Sequence, residues 1–322
     1  MSQPVVTVIV PGRDVGAFAA EALQSLQAQT FDRWCAILVD DGSRDATTQV
    51  FADAASADPR MRLLRHETAL GLGAARNAAL DLVTTPLVAF LDADDVMTPA
   101  ALERLVGTLD ETGSDIAVGA YVRLRPDAAG GYTPGPVQPW VAAATDPARR
   151  ATSLSAHPEV SGNIVAWSKV SRIELWRRGG SGIRFTEGRA YEDQIVAQLL
   201  YTRARAIDVI PDVVVHWRER ADGSSLTQTK HTVPVLVDYL DALRAGLAVL
   251  DAAGQRAAAR ARIRLILDMD VPPLVRIAQA HADDAYRRLV GAFVRDLVAR
   301  ADADAITLDP ASTSLLAAAR LW

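Results

Sequence analysis

The segment Phe90-Leu91-Asp92-Ala93-Asp94-Asp95 sets three carboxylates directly after an apolar run. On a strand, residues two apart point to the same side, so Asp92 and Asp94 converge. Hard oxygen ligands at a strand end suit Mg²⁺ or Mn²⁺, which leaves coordination positions for the phosphate oxygens of a substrate. A dication there would offset the charge that builds on a departing diphosphate. Acidic residues ahead of Pro99 could instead cap a helix, and Asp95 or Thr98 fits that role equally well. For Asp92 and Asp94 together the metal reading is preferred, because burying two carboxylates without a counter-charge is costly. Asp40-Asp41-Gly42-Ser43 is a second cluster of the same kind, either a carboxylate for a base or ribose or an ordinary turn with Ser43 as helix cap. In Leu70-Gly71-Leu72-Gly73-Ala74-Ala75-Arg76-Asn77 a Gly-punctuated loop enters a helix, and Arg76 is either a charged fork for a phosphate or a solvated helix residue.

The elements that must carry these groups alternate. Residues 5–10 are an apolar, β-branched run, interrupted by Pro11 and Gly12, before Phe18, Ala22, Leu23 and Leu26 recur at helical spacing. The unit repeats, with strands over 34–39, 61–64, 86–91 and 115–124 and helices over 47–57, 72–83 and from Pro99. This alternation predicts a mostly parallel α/β sheet covered by helices on both faces, with ligands beyond the carboxyl ends of the strands. Residues 126–147, rich in Pro, Gly and Ala, read as an irregular excursion. Further expectations are short helices over 173–177 and 191–201 and a strand over 213–217. Beyond about Lys230, Ala, Leu and Arg-rich stretches of helical period are broken at Gly254, at Pro272 and Pro273, and near Asp302. The domains are therefore 1–230, with a donor site over 1–125 and an acceptor and base region over 150–230, and a helical module over 231–322.

Composition narrows the function. The chain has 322 residues, half of them apolar, and a formal net charge of -5, so it lacks the basic field that non-specific nucleic-acid binding needs. Its one cysteine, Cys35, excludes an intramolecular disulfide and reads as core. The run over 5–10 is too short to span a membrane and lacks the flanks of a signal peptide. A cytoplasmic protein is expected, with peripheral contact at the inner face of the membrane left open. Ala and Arg richness points to a bacterium with GC-rich DNA.

At this point the blocks form a pattern. Thr7-Val8-Ile9-Val10-Pro11, Ser25-Leu26-Gln27-Ala28-Gln29-Thr30, Val39-Asp40-Asp41-Gly42-Ser43-Arg44-Asp45, Gly73-Ala74-Ala75-Arg76-Asn77-Ala78-Ala79 and Phe90-Leu91-Asp92-Ala93-Asp94-Asp95, in this order, resemble the signature of family 2 glycosyltransferases. The resemblance is dense over about the first 110 residues and thinner to about residue 228. It implies a GT-A fold, inverting transfer, and a nucleoside diphosphate sugar, most often UDP-linked. It further implies that Pro11 and Asp14 line the nucleoside pocket, that Asp41 meets the base and that Arg76 lies near the donor phosphates or ribose. By the same resemblance Asp92 and Asp94 are the metal-binding DxD pair, with Mn²⁺ or Mg²⁺ as cofactor and Asp94 the direct ligand. Two departures stand out: Pro11-Gly12-Arg13-Asp14 replaces the usual Pro-x-Tyr-Asn, and Glu67-Thr68-Ala69 replaces an Asn ahead of the Gly-rich loop.

Tyr191-Glu192-Asp193-Gln194 resembles the stretch where this family carries a Glu-Asp pair at a helix start. By that match Asp193 is the general base that deprotonates the acceptor hydroxyl, and Glu192 orients the acceptor or supports the loop. Without the upstream blocks the pair would only complement a helix dipole. Trp167-Ser168-Lys169 resembles an acceptor-side segment in capsule and wall-polymer enzymes, or is an amphipathic strand with a solvated lysine. His216-Trp217-Arg218 with Gly223-Ser224-Ser225 resembles the late segment that closes over the donor phosphates. It makes Arg218 and Ser225 phosphate contacts and His216 either a further metal ligand or a packed residue. The acceptor is then a glycan or polyol-type hydroxyl, and the sugar a hexose or N-acetylhexosamine. A sugar-phosphate nucleotidyltransferase and a catalytically silent nucleotide-sugar-binding module are the alternatives; the first should carry a better Gly-rich basic loop after the first strand, and the intact Asp92, Asp94 and Asp193 weigh against the second. The module after 230 carries no block of the pattern. Its stripes, such as Leu236, Tyr239, Leu240, Leu243 and Leu247, and Leu289, Val290, Phe293, Val294 and Leu297, should pack on the first domain, hold a homo-oligomer, or support membrane contact through the arginines of 256–264.

Overall fold

β-branched and apolar residues without a break make β1 (Val6–Gly12) a strand buried on both faces, and that forces it to the middle of a sheet. The structure is a computed structural model that describes residues 3–180, 182–221, 230–301 and 310–322. β1 is flanked by β2 (Trp34–Asp41) and β4 (Leu87–Phe90), both parallel to it, and β3 (Met61–His66) adds in parallel beyond β2. Helices α1 (Gly16–Gln27), α2 (Thr47–Ala57) and α3 (Leu72–Leu80) make the crossovers. The rest of the sheet consists of the short β5 (Val96–Met97), β6 (Ile116–Pro126) after helix α4 (Ala101–Thr112), β9 (Lys169–Arg172) and β10 (Ile207–Arg218). The strand order is β3-β2-β1-β4-β9-β6-β10-β5.

The mostly parallel sheet is present as a mixed one. β9 inserts antiparallel between β4 and β6, while β6 and β10 pair in parallel. The excursion expected over 126–147 is regular: β7 (Tyr132–Val137) returns antiparallel along β6, and helix α5 (Pro139–Thr145) follows with proline in its first turn. A strand with two prolines and a glycine is legible only from its partner, which accounts for the miss. β8 (Arg149–Thr152) pairs antiparallel with β10, α6 is the predicted Ile173–Arg177, and α7 (Asp193–Arg203) begins at the expected base.

The helical region holds α8 (Val233–Ala252), α9 (Arg256–Leu265), a π turn over Ile266–Asp270, α10 (Val271–Ala280), α11 (Asp284–Arg300) and α12 (Pro310–Ala319). Gly254, at φ +67, separates α8 from α9 as expected, and α11 ends at Arg300, while Asp302 lies outside the described residues; at Pro272 and Pro273 there is no break, because α9 runs through the π turn directly into α10, whose first turn takes both prolines. These helices build a hydrophobic cluster of their own, yet Leu250, Ala258 and Ala259 belong to the cluster under the sheet. The stripe of α11 is covered within the chain, with Val290, Phe293 and Val294 fully buried. Arg262 of the arginine-rich α9 also turns inward. α8 lies on α7 so closely that a Cβ on Gly246 would sit 3.2 Å from the Gln194 carbonyl oxygen. Among the described residues no helix is long and apolar enough to cross a membrane.

Candidate active site

Three of the groups singled out above, Asp92, Glu192 and Asp193, are joined by one residue. Arg76, on α3, is fully buried. Its Nη1 donates to Glu192 Oε1 and to Asp193 Oδ1, each at 2.5 Å, and its Nη2 donates to Asp92 Oδ1 at 2.6 Å. Its guanidinium also lies over Phe185, 5.1 Å from the ring centre. Burial opposes its charge, but Asp193, Asp92 and Glu192 outweigh burial and hold the proton more firmly than usual. Its fork is spent on three carboxylates, an arrangement the planar guanidinium suits and an ammonium does not.

α3 also receives the chain that leads to the base. A Cβ on Gly73 would lie 2.2 Å from the Thr186 carbonyl oxygen, so only glycine lets residues 185–187 cross the helix here. Asn77 then clamps that crossing: its Oδ1 accepts from the Phe185 N–H at 2.9 Å, and its Nδ2 donates to Phe185 O and Glu187 Oε1. From there the chain runs to Tyr191, at φ +62, and into α7.

Asp193 and Glu192 differ in access. The Asp193 side chain is 16% exposed and that of Glu192 5%. Burial, and then the charge of Asp193, push the Glu192 carboxyl up to about 8, with Arg76 pulling only partly back. Burial also raises Asp193, against the pull of Arg76, and its Oδ2 accepts from the Ala166 N–H at 3.3 Å. The adjoining Lys169 is not the solvated lysine of an amphipathic strand. It is 3% exposed, donates to Asn163 Oδ1 at 2.7 Å and to the Val165 carbonyl, and is pushed down to about 7 by burial. Trp167 is likewise buried, edge-on to Tyr121 at 4.8 Å.

The acidic turn after β4 is fastened from β10. Arg218 is buried, and its N–H donates to Asp95 Oδ1 at 2.8 Å, its Nε to the Asp94 carbonyl at 2.7 Å and its Nη2 to Glu21 at 2.6 Å. Arg218 thus ties the turn to β10 and α1. Arg220, absent from the sequence reading, binds Asp94 Oδ2 through Nε at 2.9 Å and Nη2 at 2.7 Å. Burial raises Asp94 despite Arg220, and Asp92 adds to the rise; burial also raises Asp95, well above the usual range. Asp92 and Asp94 supply hard oxygens, the donor type a dication takes, and Asp92 is held here by Arg76 and Asp94 by Arg220. Among the described residues no three His, Cys, Asp or Glu side chains group closely enough to hold an ion, so His216 does not complete a three-ligand set with Asp92 and Asp94. Its imidazole pKa is lowered by burial on β10.

On the nucleoside side, Pro11 is buried on β1, and its carbonyl accepts from the Ala93 N–H at 3.2 Å. Asp14 is exposed at φ +51 and accepts from the Arg44 N–H at 2.8 Å. Asp41 is spent inside the protein: Oδ1 pairs with His66 Nδ1 at 2.7 Å and accepts from Leu70 N–H, and Oδ2 accepts from Gly71 N–H. Burial would raise its pKa, but these hydrogen bonds outweigh burial and lower it. Asp41 thereby holds the loop that enters α3. Ser225 lies outside the described residues.

Residues 7–136 match the family model described as glycosyl transferase family 2. The glycosyltransferase GlyA of Streptococcus pneumoniae is 27% identical over 237 residues, which cover 73% of this chain and 33% of GlyA. EpsJ of Bacillus subtilis, an uncharacterized glycosyltransferase, is 27% identical over 248 residues, covering 74% of this chain and 67% of EpsJ. The chain thus spans a third of one of these relatives and two thirds of the other. Among solved structures, S. aureus TarS 1-349 in complex with UDP-GlcNAc superposes with a TM-score of 0.74 at 19% identity, covering 98% of this chain and 87% of that one.

Proposed function

Since the chain belongs to glycosyltransferase family 2, through the match over residues 7–136, we propose that it moves a sugar from a nucleoside diphosphate sugar to a hydroxyl of a glycan, wall-polymer or capsule-type acceptor, with inversion at the anomeric carbon. The observation that carries the reading is the shared guanidinium of Arg76, which holds Asp92 of the acidic turn and Asp193 at the start of α7 within one side chain of each other. A carboxylate so placed can take the acceptor proton while the acceptor oxygen attacks. One bond forms, between that oxygen and the anomeric carbon; one breaks, between the anomeric carbon and the departing diphosphate; and the proton ends on Asp193.

The base is Asp193 rather than Glu192 because Asp193 keeps more exposure, and because burial and the charge of Asp193 raise the Glu192 carboxyl. Glu192 then supports Arg76. Asp94 with Asp92 would hold Mn²⁺ or Mg²⁺, whose charge would offset that of the diphosphate. A UDP-linked donor is the first candidate, in line with the ligand of the TarS complex.

The test is to incubate the protein with UDP-sugars and Mn²⁺ and identify the product. Release of UDP supports transfer; release of pyrophosphate from a sugar phosphate and UTP would make it a nucleotidyltransferase; tight UDP-sugar binding with no release would make it a silent module. Asp193→Asn keeps the shape and removes the proton acceptor, so nucleotide affinity should persist while turnover falls by roughly 10²-fold or more. Turnover near wild type in a folded Asp193→Asn protein would move the assignment to another carboxylate.

A further inference from the structure

The short connection that delivers Glu192 and Asp193 carries two left-handed residues, Gly188 at φ +68 and Tyr191 at φ +62. The second is a bulky side chain in a conformation such residues rarely hold without support. That support comes from beyond residue 230. Asp238 of α8 accepts from Arg189 Nη1 at 2.6 Å and from the Ala190 N–H at 3.2 Å. The ring of Tyr239 packs on that of Tyr191, with centroids 4.5 Å apart, and Lys230 Nζ lies 3.8 Å from the centre of the Tyr239 ring. Arg262, buried on α9, donates from Nη2 to Gln194 Oε1 at 3.1 Å and pairs with Asp270 at 3.5 Å. Asp270 in turn accepts from the Tyr239 hydroxyl at 2.6 Å. Residues 189, 190, 191 and 194, on both sides of the carboxylate pair, are therefore each held by the helical region.

We propose that Asp238, Tyr239 and Arg262 are positioning residues for the catalytic carboxylates, setting the backbone of 189–194 so that Glu192 and Asp193 reach Arg76. The proposal rests on the reading of Asp193 as the base. It departs from the expectation that the region after 230 packs on the first domain, holds a homo-oligomer or supports membrane contact. A general base must stand within hydrogen-bond reach of the proton it takes, and a misplacement of about 1 Å in such a group can cost about 10²-fold in rate. On the donor side, Asp41, Asp94 and Arg218 are fastened by other partners, and only Asp92 meets these contacts, through Arg76.

The experiment uses the full chain and follows UDP release from UDP-N-acetylglucosamine with Mn²⁺, where water serves as acceptor, together with UDP affinity and the cooperativity of thermal unfolding. In Asp238→Ala and Tyr239→Leu, UDP affinity should stay within about 2-fold while kcat falls by roughly 10-fold or more, with little change in KM. The acidic limb of the kcat profile should move, because the surroundings of Asp193 change. Tyr239→Phe, which keeps the ring, should recover most of the loss. Folded variants with wild-type kcat and an unmoved acidic limb would overturn the proposal, as would equal losses in UDP affinity and kcat, the mark of a general packing defect. Asp193→Asn separates the two levels: if it is inactive while the α8 variants behave as wild type, only the positioning role fails. If it turns over normally, the base assignment fails and the positioning role with it.

Discussion

Arg76 shows how far single residues can be read from their neighbours in sequence. Its presence in a Gly-rich loop entering a helix was legible, but its partners lie 16, 116 and 117 positions away, and no local pattern reports them. With them it is the cation that lets three carboxylates share one site. Removing a buried partner leaves uncompensated charge, so Arg76→Met should destabilise the fold by about 3–5 kcal/mol in urea titrations. Arg76→Lys keeps the charge without the fork. It should cost less stability, yet still lower turnover by roughly 10²-fold, because an ammonium cannot hold Asp92 and Asp193 in one plane. A Lys169 that looks solvated by its place beside Ser168 is buried for the same reason: its partners, Asn163 and the Val165 carbonyl, belong to a turn whose path only the fold defines.

At the level of elements the reading was closest where periodicity is strong and both faces are covered. The helix over 47–57, the helix over 173–177 and the strand start at Trp34 coincide with the structure. It failed where a strand borrows its hydrogen bonds from a neighbour, as β7 does from β6, and where β10 began earlier than its densest apolar stretch suggested. Two glycines on helices separate packing from propensity. Gly73 faces the Thr186 carbonyl, whereas a Cβ on Gly107 of α4 would meet nothing within 4 Å. Gly107→Ala should therefore stabilise the protein by about 0.5–1 kcal/mol through helix propensity alone. Gly73→Ala gains the same propensity but must push residues 185–187 away from Asn77. Its turnover should fall by about 10-fold or more while UDP affinity changes little, measured on the two variants side by side.

The whole molecule is less divisible than its pattern of motifs. The change of character near Lys230 is plain in the sequence and sets off 1–230, with the expected donor site, from the helical region. Yet Leu250, Ala258 and Ala259 fill the cluster under the sheet, and α8 covers Gln194 and Gln198 of α7. Burial of a leucine is worth about 1.5–3 kcal/mol, and several such contacts would vanish together. The shortened protein should unfold roughly 10 °C or more below the full chain, or aggregate, in a calorimetric scan. A shortened protein that melts as the full chain does would restore the simpler division.

The tight seat of Gly246 against the Gln194 carbonyl bears on inheritance as well as on folding. A recombination event that joined the first 230 residues to another helical region would bring a foreign side chain to that seat and foreign partners to Arg189 and Gln194. The two stretches must then be passed on as a matched pair, and drift in one constrains drift in the other. An engineer who wants a new acceptor by swapping the last third of this chain would need to transplant the outward face of α7 along with it.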